Sequence, residues 1–315
     1  MSTYIVTNSE LVAIANAIRA RNSSSDTFTI DQLPNAIATI GENIGSGAVV
    51  RTATDDSYAV NSSKLINIAN AIRNKLDISN SITIDDMADL INNMDPHFIT
   101  DSWDTIIANI DNGTYSTKYE AGDYKPIDLG STYGVANMQI VAMDADELVG
   151  GGYAPLTFLS KEQLNQVSKM NSTATNANGY PATDIMKPLL NNTLYPLLPT
   201  NIKNRIQTVN KTYYDYTTNS TLTTTEKIWI PSRREMFGGT SYETSGVMYT
   251  SFFTDAAARG KPRNGESKSY WLRTACKDNN TNFMSLLGSG STYNNSASTS
   301  IGICLGFCLG AAIQQ

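Results

Sequence analysis

The chain is short of the residues on which several kinds of function depend. It has one histidine and three cysteines in 315 residues, and charged side chains make up only 17% of them. A nucleophilic serine or cysteine usually needs a histidine base nearby, and the single histidine, His97, stands beside Pro96 at a predicted domain junction. The residues therefore predict a protein that is not an enzyme and that has no cofactor.

The low cysteine and charge content also argues against disulfides, zinc sites and binding to polyanions. The cysteines, Cys276, Cys304 and Cys308, match neither a disulfide framework nor the paired spacings of zinc sites, which favours small buried apolar residues. The formal net charge is −6 without a cluster of Lys and Arg, which argues against binding to nucleic acid or to an anionic membrane. Buried free cysteines indicate folding in a reducing cytoplasm, and the first residues lack the pattern of a secretory signal.

An unbroken apolar run closes the chain, from Ile301 to Ile313. Its 13 residues fall short of the ~20 needed to cross a bilayer, so no membrane insertion is expected. Along Ile301 to Leu309 large residues alternate with Gly and Cys, which predicts a buried central strand whose small face permits close backbone approach. Tyr270 to Thr274 predicts a second strand, and we expect the two strands to pair in one sheet.

The N-terminal part contains a duplication at an offset of 54 residues. Ile14 to Arg19 is identical to Ile68 to Arg73 at six consecutive positions. Apolar residues at helical spacing predict one amphipathic helix in each copy, with Ser9 and Ser63 as candidate N-caps.

Each copy continues with a short extended piece and a second helix. The extended pieces are Thr27 to Ile30 and Ser81 to Ile84, and Asp31 and Asp85 are the expected N-caps. A helix, strand and helix of roughly 35 ordered residues is too small for its own core, so each copy should pack on a neighbour or on another chain. The predicted boundaries are residues 1–50 for the first repeat, 51–96 for the second and 97–315 for a C-terminal domain.

Ile68 to Arg73, followed by an extended piece and an aspartate-capped helix, resembles small modules common in tail and baseplate proteins of bacteriophages. The resemblance covers roughly residues 1–95. It implies an adaptor that links the chain to a phage tail or baseplate. A plain structural spacer is the alternative.

In the C-terminal domain, predicted helices such as Lys161 to Lys169 and Pro199 to Val209 precede most of the predicted strands. That order favours an α+β fold over a doubly wound sheet. Residues 102–309 resemble a family of domains frequent in gut bacteria and their phages, on the landmarks Met138 to Val141, Leu197 to Pro199, Ile228 to Ser232, Trp271 to Thr274 and Gly302 to Phe307. The last two resemble the core of a C-type-lectin-like fold, which formylglycine-generating enzymes share with the variable proteins of diversity-generating retroelements.

Those variable proteins carry changeable residues between a tryptophan-containing strand and a terminal strand. The resemblance therefore implies a display segment from Ala275 to Ser296. Tyr offers rigid contact area, and Asn and Ser offer adaptable hydrogen bonding. The implied ligand-binding residues are Cys276, Asp278, Asn279, Asn280, Thr281, Asn282, Ser285, Ser289, Ser291, Tyr293, Asn294 and Asn295. A solvated loop without a ligand is the alternative.

Other polar residues suggest weaker hypotheses. Asp144 to Glu147 could offer oxygen ligands to calcium but lacks the spacing of an EF-hand loop, so an acidic turn is preferred and no metal is expected. Glu235 and Asp255 are candidate carboxylates for glycoside hydrolysis. Arg273 stands among apolar neighbours and should need a buried carboxylate or carbonyl partner.

The resemblances together imply a receptor-binding protein of a bacteriophage tail tip or tail fibre. We expect a homotrimer located in the virion and made in the host cytoplasm, since multivalent display strengthens weak contacts. Its expected partners are a host cell-surface protein or glycan and other phage tail or baseplate proteins. The alternatives are a glycan-degrading tail enzyme and a purely structural virion subunit.

Overall fold

The structure, a computed structural model, divides the chain into two compact units, residues 1–100 and residues 101–315. Helices and strands both contribute, which confirms the predicted mixed α+β class. The described residues are 3–22, 29–38, 57–76, 81–83, 86–87, 90–91, 95–239 and 241–311.

The first unit contains the duplication as two structural copies. Its elements are β1 (Thr3–Thr7), α1 (Asn8–Asn22), α2 (Leu33–Ala38), β2 (Ser57–Asn61) and α3 (Ser62–Leu76), and residues 86–87 and 90–91 are also helical. Strand β2 and helix α3 each begin 54 residues after their counterparts in the first copy. Strands β1 and β2 pair antiparallel with Ile5 opposite Ala59 at the centre, so an approximate two-fold axis relates the copies.

Both copies contribute the same positions to one shared core. The equivalent buried pairs are Ile14 and Ile68, Ile18 and Ile72, Leu33 and Met87, and Ile37 and Ile91. Helix α2 packs against α3, the long helix of the other copy. Lys64 of α3 forms an ion pair of 2.8 Å with Asp31, which again joins the copies. Each copy thus completes the core of the other, as its small size predicts.

The predicted order of elements within each copy was wrong, because the strand precedes the long helix. Thr29 begins a turn closed by the hydrogen bond from Gln32 N to Thr29 O (2.9 Å), and residues 81–83 have no regular structure. The duplication is visible in sequence only where residues are identical. Thr3–Thr7 and Ser57–Asn61 differ at most positions, so sequence identity does not show that these two segments are equivalent strands.

The predicted helix caps were also wrong where the structure describes them. Helices α1 and α3 begin at Asn8 and Ser62, which places Ser9 and Ser63 inside the first turn. Helix α2 begins at Leu33, and Asp31 lies in the preceding turn. Asp85 and residues 27–28 lie outside the described residues.

The second unit has more strand than helix. Its helices are α4 (Trp103–Asp111), α5 (Tyr115–Lys118), α6 (Gly130–Tyr133), α7 (Tyr195–Leu197), α8 (Thr200–Lys203), α9 (Arg233–Phe237) and α10 (Ala256–Arg259), with a 3-10 turn at Tyr180–Ala182 and a π-helix at Ile185–Leu194. Its strands are β3 (Tyr124–Asp128), β4 (Val135–Met143), β5 (Leu156–Ser160), β6 (Val209–Asp215), β7 (Ser220–Glu226), β8 (Ile228–Trp229), β9 (Pro262–Arg263), β10 (Glu266–Ser267), β11 (Tyr270–Ala275), β12 (Asn282–Leu286), β13 (Thr292–Ser296) and β14 (Gly306–Leu309). Within the described ranges, none of the helices is long and apolar enough to span a membrane.

An antiparallel sheet in the order β3, β4, β5, β14, β8 forms the centre of this unit. The terminal strand β14 lies between β5 and β8 and is buried along its whole length, which confirms the predicted central strand. A Cβ atom at Gly306 would lie 2.4 Å from Cζ3 of Trp229. That distance is too short for any side chain, so the predicted close backbone approach is present.

The prediction of one sheet containing both β14 and the tryptophan strand was wrong. Strand β11 belongs to a three-stranded sheet with β12 and β13, and a single parallel bridge between Tyr270 and Gly302 connects it to the terminal segment. The terminal strand is also shorter than predicted, because Ile303 and Leu305 accept hydrogen bonds from Leu164 and Ser160 before β14 begins. Tertiary hydrogen bonds therefore divide the apolar run into two parts.

Two predicted helices are absent or shortened in the described second unit. Residues 161–169 form no helix, because their N–H groups donate to residues far away in the chain, Gln163 to Pro262 (2.9 Å) and Leu164 to Ile303 (2.9 Å). Only Thr200–Lys203 of the predicted helix at residues 199–209 is helical. By contrast α4 begins after Ser102, whose side chain accepts from Thr105 N (3.1 Å) and forms an N-cap.

Candidate functional site

The predicted display segment lies on the three-stranded sheet. All six residues of β11 are buried, as are residues 283–286 of β12, whereas β13 is partly or fully exposed. In the part of the chain that the structure describes, β13 pairs with β12 alone and is an edge strand. A buried strand thus supports an exposed one, which is a rigid base for polar side chains.

The turn between β11 and β12 carries the first group of exposed polar side chains, Asp278, Asn279 and Asn280. The side chain of Asn279 is oriented by Thr281, whose backbone N and Oγ1 donate to Asn279 Oδ1 at 2.8 and 2.6 Å. Cys276 N donates to Asn282 O (2.9 Å) and closes the turn at its base. The turn therefore has a defined shape.

Strand β13 carries the second group. Tyr293 is 55% exposed and Asn294 is exposed beside it. Asn282 Nδ2 donates to Asn294 Oδ1 (2.9 Å), so this side chain of β13 directly contacts the last residue of the turn. We call residues 277–282 together with residues 293–295 the candidate surface; it lies at the edge of the sheet, where Asn294 shares one face with Asn282, and Tyr293 and Asn295 lie on the other face.

Ten of the twelve predicted ligand residues are at least partly exposed. The prediction was wrong for Cys276 and Ser285, which are 4% and 0% exposed and cannot contact a ligand. Ser285 instead accepts a hydrogen bond from Asn295 Nδ2 (2.8 Å). Ser289 and Ser291 are exposed in the connection between β12 and β13, about 13 Å from the turn at residues 277–282 at ~3.3 Å per residue, although Ser291 stands only two residues before Tyr293.

Arg273 fastens β11 to the rest of the unit. Its guanidinium donates two hydrogen bonds of 2.7 Å to the carboxylate of Glu235 and one of 2.7 Å each to Ile230 O and Thr212 O. Arg273 was predicted to need a carboxylate or carbonyl partner. The structure confirms this prediction, because Arg273 has a carboxylate partner and two backbone carbonyl partners. Burial raises the pKa of Glu235, but Arg273 and Lys211 lower it more strongly, and the result is about 2.

Lys211 extends this cluster to a second carboxylate. Lys211 Nζ donates to Glu235 Oε1 (2.9 Å), to Tyr249 OH (2.7 Å) and to Asp146, and it lies 3.5 Å above the ring centre of Trp229. Lys211 and both of its carboxylate partners are buried. Two cations and two anions balance one another, which is the condition for keeping charges in an apolar core.

The ion cluster contradicts two of the weaker hypotheses, the calcium site at Asp144 to Glu147 and the carboxylate pair of Glu235 and Asp255. Asp146 also accepts hydrogen bonds from Thr157 Oγ1 (2.6 Å) and Tyr249 OH (2.8 Å), so its carboxylate faces the core and not a shared calcium site with exposed Asp144. The proposed carboxylate pair was wrong, because Glu235 is buried. Asp255 is exposed and caps α10 by accepting from Ala258 N (2.9 Å).

All three cysteines are buried, which agrees with the expectation from their spacing and contradicts the display role that the resemblance implies for Cys276. Burial raises the pKa of Cys304 to about 12 and also raises the pKa of Cys308. These two thiols are therefore protonated at neutral pH and lack the thiolate that a nucleophile requires.

Asn176 is a functional candidate that the sequence did not predict; it is 0% exposed and bonds to the turn of the candidate surface. Asn178 and Gly179 follow it as a turn signal, and both have positive φ. Nothing in that local pattern shows that Asn176 is buried, because its partners are about a hundred residues away in the chain.

A family model described as a domain of unknown function (DUF6273) matches residues 156–310. No curated protein and no solved structure matches the chain. The matched segment begins at the first residue of β5 and ends just after β14, so it includes Lys211, Glu235, Arg273 and the whole candidate surface. Over that segment the chain is similar to the DUF6273 family.

Proposed function

We propose that the chain is a receptor-binding protein of a bacteriophage tail, which attaches to the virion through its first unit and binds a bacterial surface ligand through its second. The observation that carries the proposal is the candidate surface. Asp278, Asn279 and Asn280 follow directly after buried β11, which Arg273 fixes, and exposed Tyr293 and Asn294 lie on β13, which pairs with the buried strand β12. Such residue types on a rigid base suit recognition of a protein or glycan.

A C-type-lectin-like fold for the second unit is part of the proposal. The tryptophan strand β11 and the terminal strand β14 are both buried, and the display segment lies between them in the chain. The resemblance to retroelement-diversified variable proteins implies changeable residues in that display segment. Retention of the framework residues and variation at positions 278–280 and 293–295 among close relatives would agree with it.

The first unit is proposed to be the adaptor to a tail or baseplate protein. Its two copies present equivalent exposed apolar residues, Val12 at 43% and Ile66 at 54% exposure, which are also 54 positions apart. Single exposed apolar residues are common on protein surfaces, so the support for attachment is that this one recurs at the same place in each copy. We propose that the assembled virion protein is a homotrimer, so that several weak contacts act together.

A binding function without catalysis fits the burial of the carboxylates and thiols that could serve as catalytic groups. Glu235 and Asp146 are bound within the ion cluster, and Cys304 and Cys308 are protonated in the core. These groups stabilise the fold that supports the candidate surface. We therefore propose recognition of the bacterial surface and not its degradation.

The test is adsorption of the purified, fluorescently labelled protein to a panel of intact gut bacteria, measured by flow cytometry. Tyr293→Ala combined with Asn294→Ala removes exposed contact area without touching the ion cluster. We expect binding of wild-type protein to at least one strain and about tenfold weaker binding of the double variant, the loss of roughly 1.4 kcal/mol. Tyr153→Ala is the matched control, because Tyr153 is a tyrosine of the same unit with 61% exposure.

Equal binding of the double variant and the wild type would contradict the proposed surface. Release of reducing sugar from envelope material by the wild type would favour the glycan-degrading alternative. Binding to no strain, together with burial of Tyr293 in the assembled virion, would favour the structural alternative.

A further inference from the structure

Asn176 is a buried polar residue in an exposed loop. It is 0% exposed, whereas residues 172–174 before it and Ala177 and Asn178 after it are exposed. Buried amide groups are kept where hydrogen bonds compensate the loss of water. Asn176 Oδ1 has no hydrogen-bond partner among the described residues, so the position of Asn176 is explained by what its Nδ2 binds.

The side chain of Asn176 binds the turn of the candidate surface at three points. Its Nδ2 lies 2.8 Å from Asn279 O, 2.8 Å from Asn282 O and 3.3 Å from Cys276 O. Its backbone N donates to Asn280 O at 2.8 Å. One residue thus contacts the start, the middle and the end of the turn.

The turn has few hydrogen bonds of its own between backbone groups. Cys276 N donates to Asn282 O at 2.9 Å, and Asn282 N lies 3.5 Å from Asn279 O, at the limit of a hydrogen bond. Three carbonyl groups converging on one Nδ2 require a donor at that point. An Asp side chain of nearly the same size would present an oxygen there and repel them.

We propose that Asn176 is a positioning residue for ligand binding, which holds residues 276–282 in the shape that presents Asp278, Asn279 and Asn280. The inference rests on the proposed function, because it assigns Asn176 a role in the same surface. A loop that is ordered before binding loses less conformational entropy when the ligand arrives, so affinity increases. Asn176 acts through the turn, since its own side chain is buried.

The experiment compares Asn176→Ala and Asn176→Asp with Asn171→Ala in the full chain. Asn171 is the matched control, because it is 9% exposed, lies in the same loop and uses its amide within that region, donating to Thr175 O (2.6 Å) and accepting from Asp184 N (3.1 Å). Hydrogen exchange is followed for residues 276–282 and, separately, for residues 283–286 and 292–296. Binding is measured on intact cells of the gut strain that binds the most wild-type protein.

We expect both Asn176 variants to exchange about ten- to a hundredfold faster at residues 276–282, the effect of losing two or three hydrogen bonds. Residues 283–286 should keep their protection, which shows that the sheet is still folded. Cell binding should be about tenfold weaker for both variants and unchanged for Asn171→Ala.

Wild-type exchange at the turn in Asn176→Asp would overturn the inference. Faster exchange with full cell binding would overturn it as well and would leave the proposed function intact. If the wild type binds none of the strains, the proposed function is overturned, and so is the role of Asn176 in ligand binding.

Discussion

Replacing Arg273 by lysine keeps the charge and removes the planar group that connects four partners. The guanidinium is 1% exposed and makes four hydrogen bonds of 2.7 Å, two of them to Glu235. A lysine ammonium cannot reproduce the two parallel bonds to a carboxylate, and hydrogen bonds to charged groups contribute about 1.5–3 kcal/mol each. We expect Arg273→Lys to lower the free energy of unfolding of the second unit by about 3 kcal/mol, within the range for broken buried ion pairs.

The assay is urea unfolding followed by tryptophan fluorescence. The three tryptophans, Trp103, Trp229 and Trp271, all lie in the second unit, so the signal reports on that unit alone. Arg263→Lys is the control, since Arg263 is partly exposed on β9, and its effect should stay within about 0.5 kcal/mol. A loss below about 1 kcal/mol for Arg273→Lys would refute the claim that this side chain fastens β11.

Three further predictions concern single positions. Gly306→Ala should destabilise the second unit by about 1–3 kcal/mol in the same assay, because its Cβ would lie 2.4 Å from Trp229, and a neutral result would contradict the close approach. Burial raises the pKa of Glu226 to about 7, so the folded protein binds a proton more tightly than the unfolded chain and loses stability as pH rises from about 4.5 to 7. Glu226→Gln should remove that pH dependence, worth roughly 3 kcal/mol, which unfolding curves at pH 5 and pH 8 would show. Ile18→Ala and Ile72→Ala should each cost about 2–5 kcal/mol and speed exchange in both α1 and α3, whereas an effect confined to one copy would contradict the shared core.

Patterns within one element were predictable from the sequence. Helical spacing predicted an amphipathic helix in each copy, and Ile14 and Ile18 on the apolar side of α1 are both 0% exposed. The alternation of large and small residues identified a central strand with a glycine at close approach. The isolated charge of Arg273 required a buried partner, although the sequence could not say that Glu235 supplies it.

Features decided by distant parts of the chain were not predictable. Residues 161–169 have a helix-like pattern, but their N–H groups bond to Pro262 and Ile303. Ser285 looks like a display residue in sequence, yet the pairing of β12 between two strands buries it. Asn176 is buried because carbonyl groups more than 99 positions later converge on it. In each case the three-dimensional contact outweighs the local preference.

We propose that the candidate surface binds a bacterial surface. The most direct measurement is hydrogen exchange of the full chain with and without envelope fragments of a gut strain that binds it. We expect slower exchange at residues 276–282 and 292–296 on binding, and unchanged exchange in the first unit. Protection confined to other residues, or protection nowhere in the second unit, would contradict it.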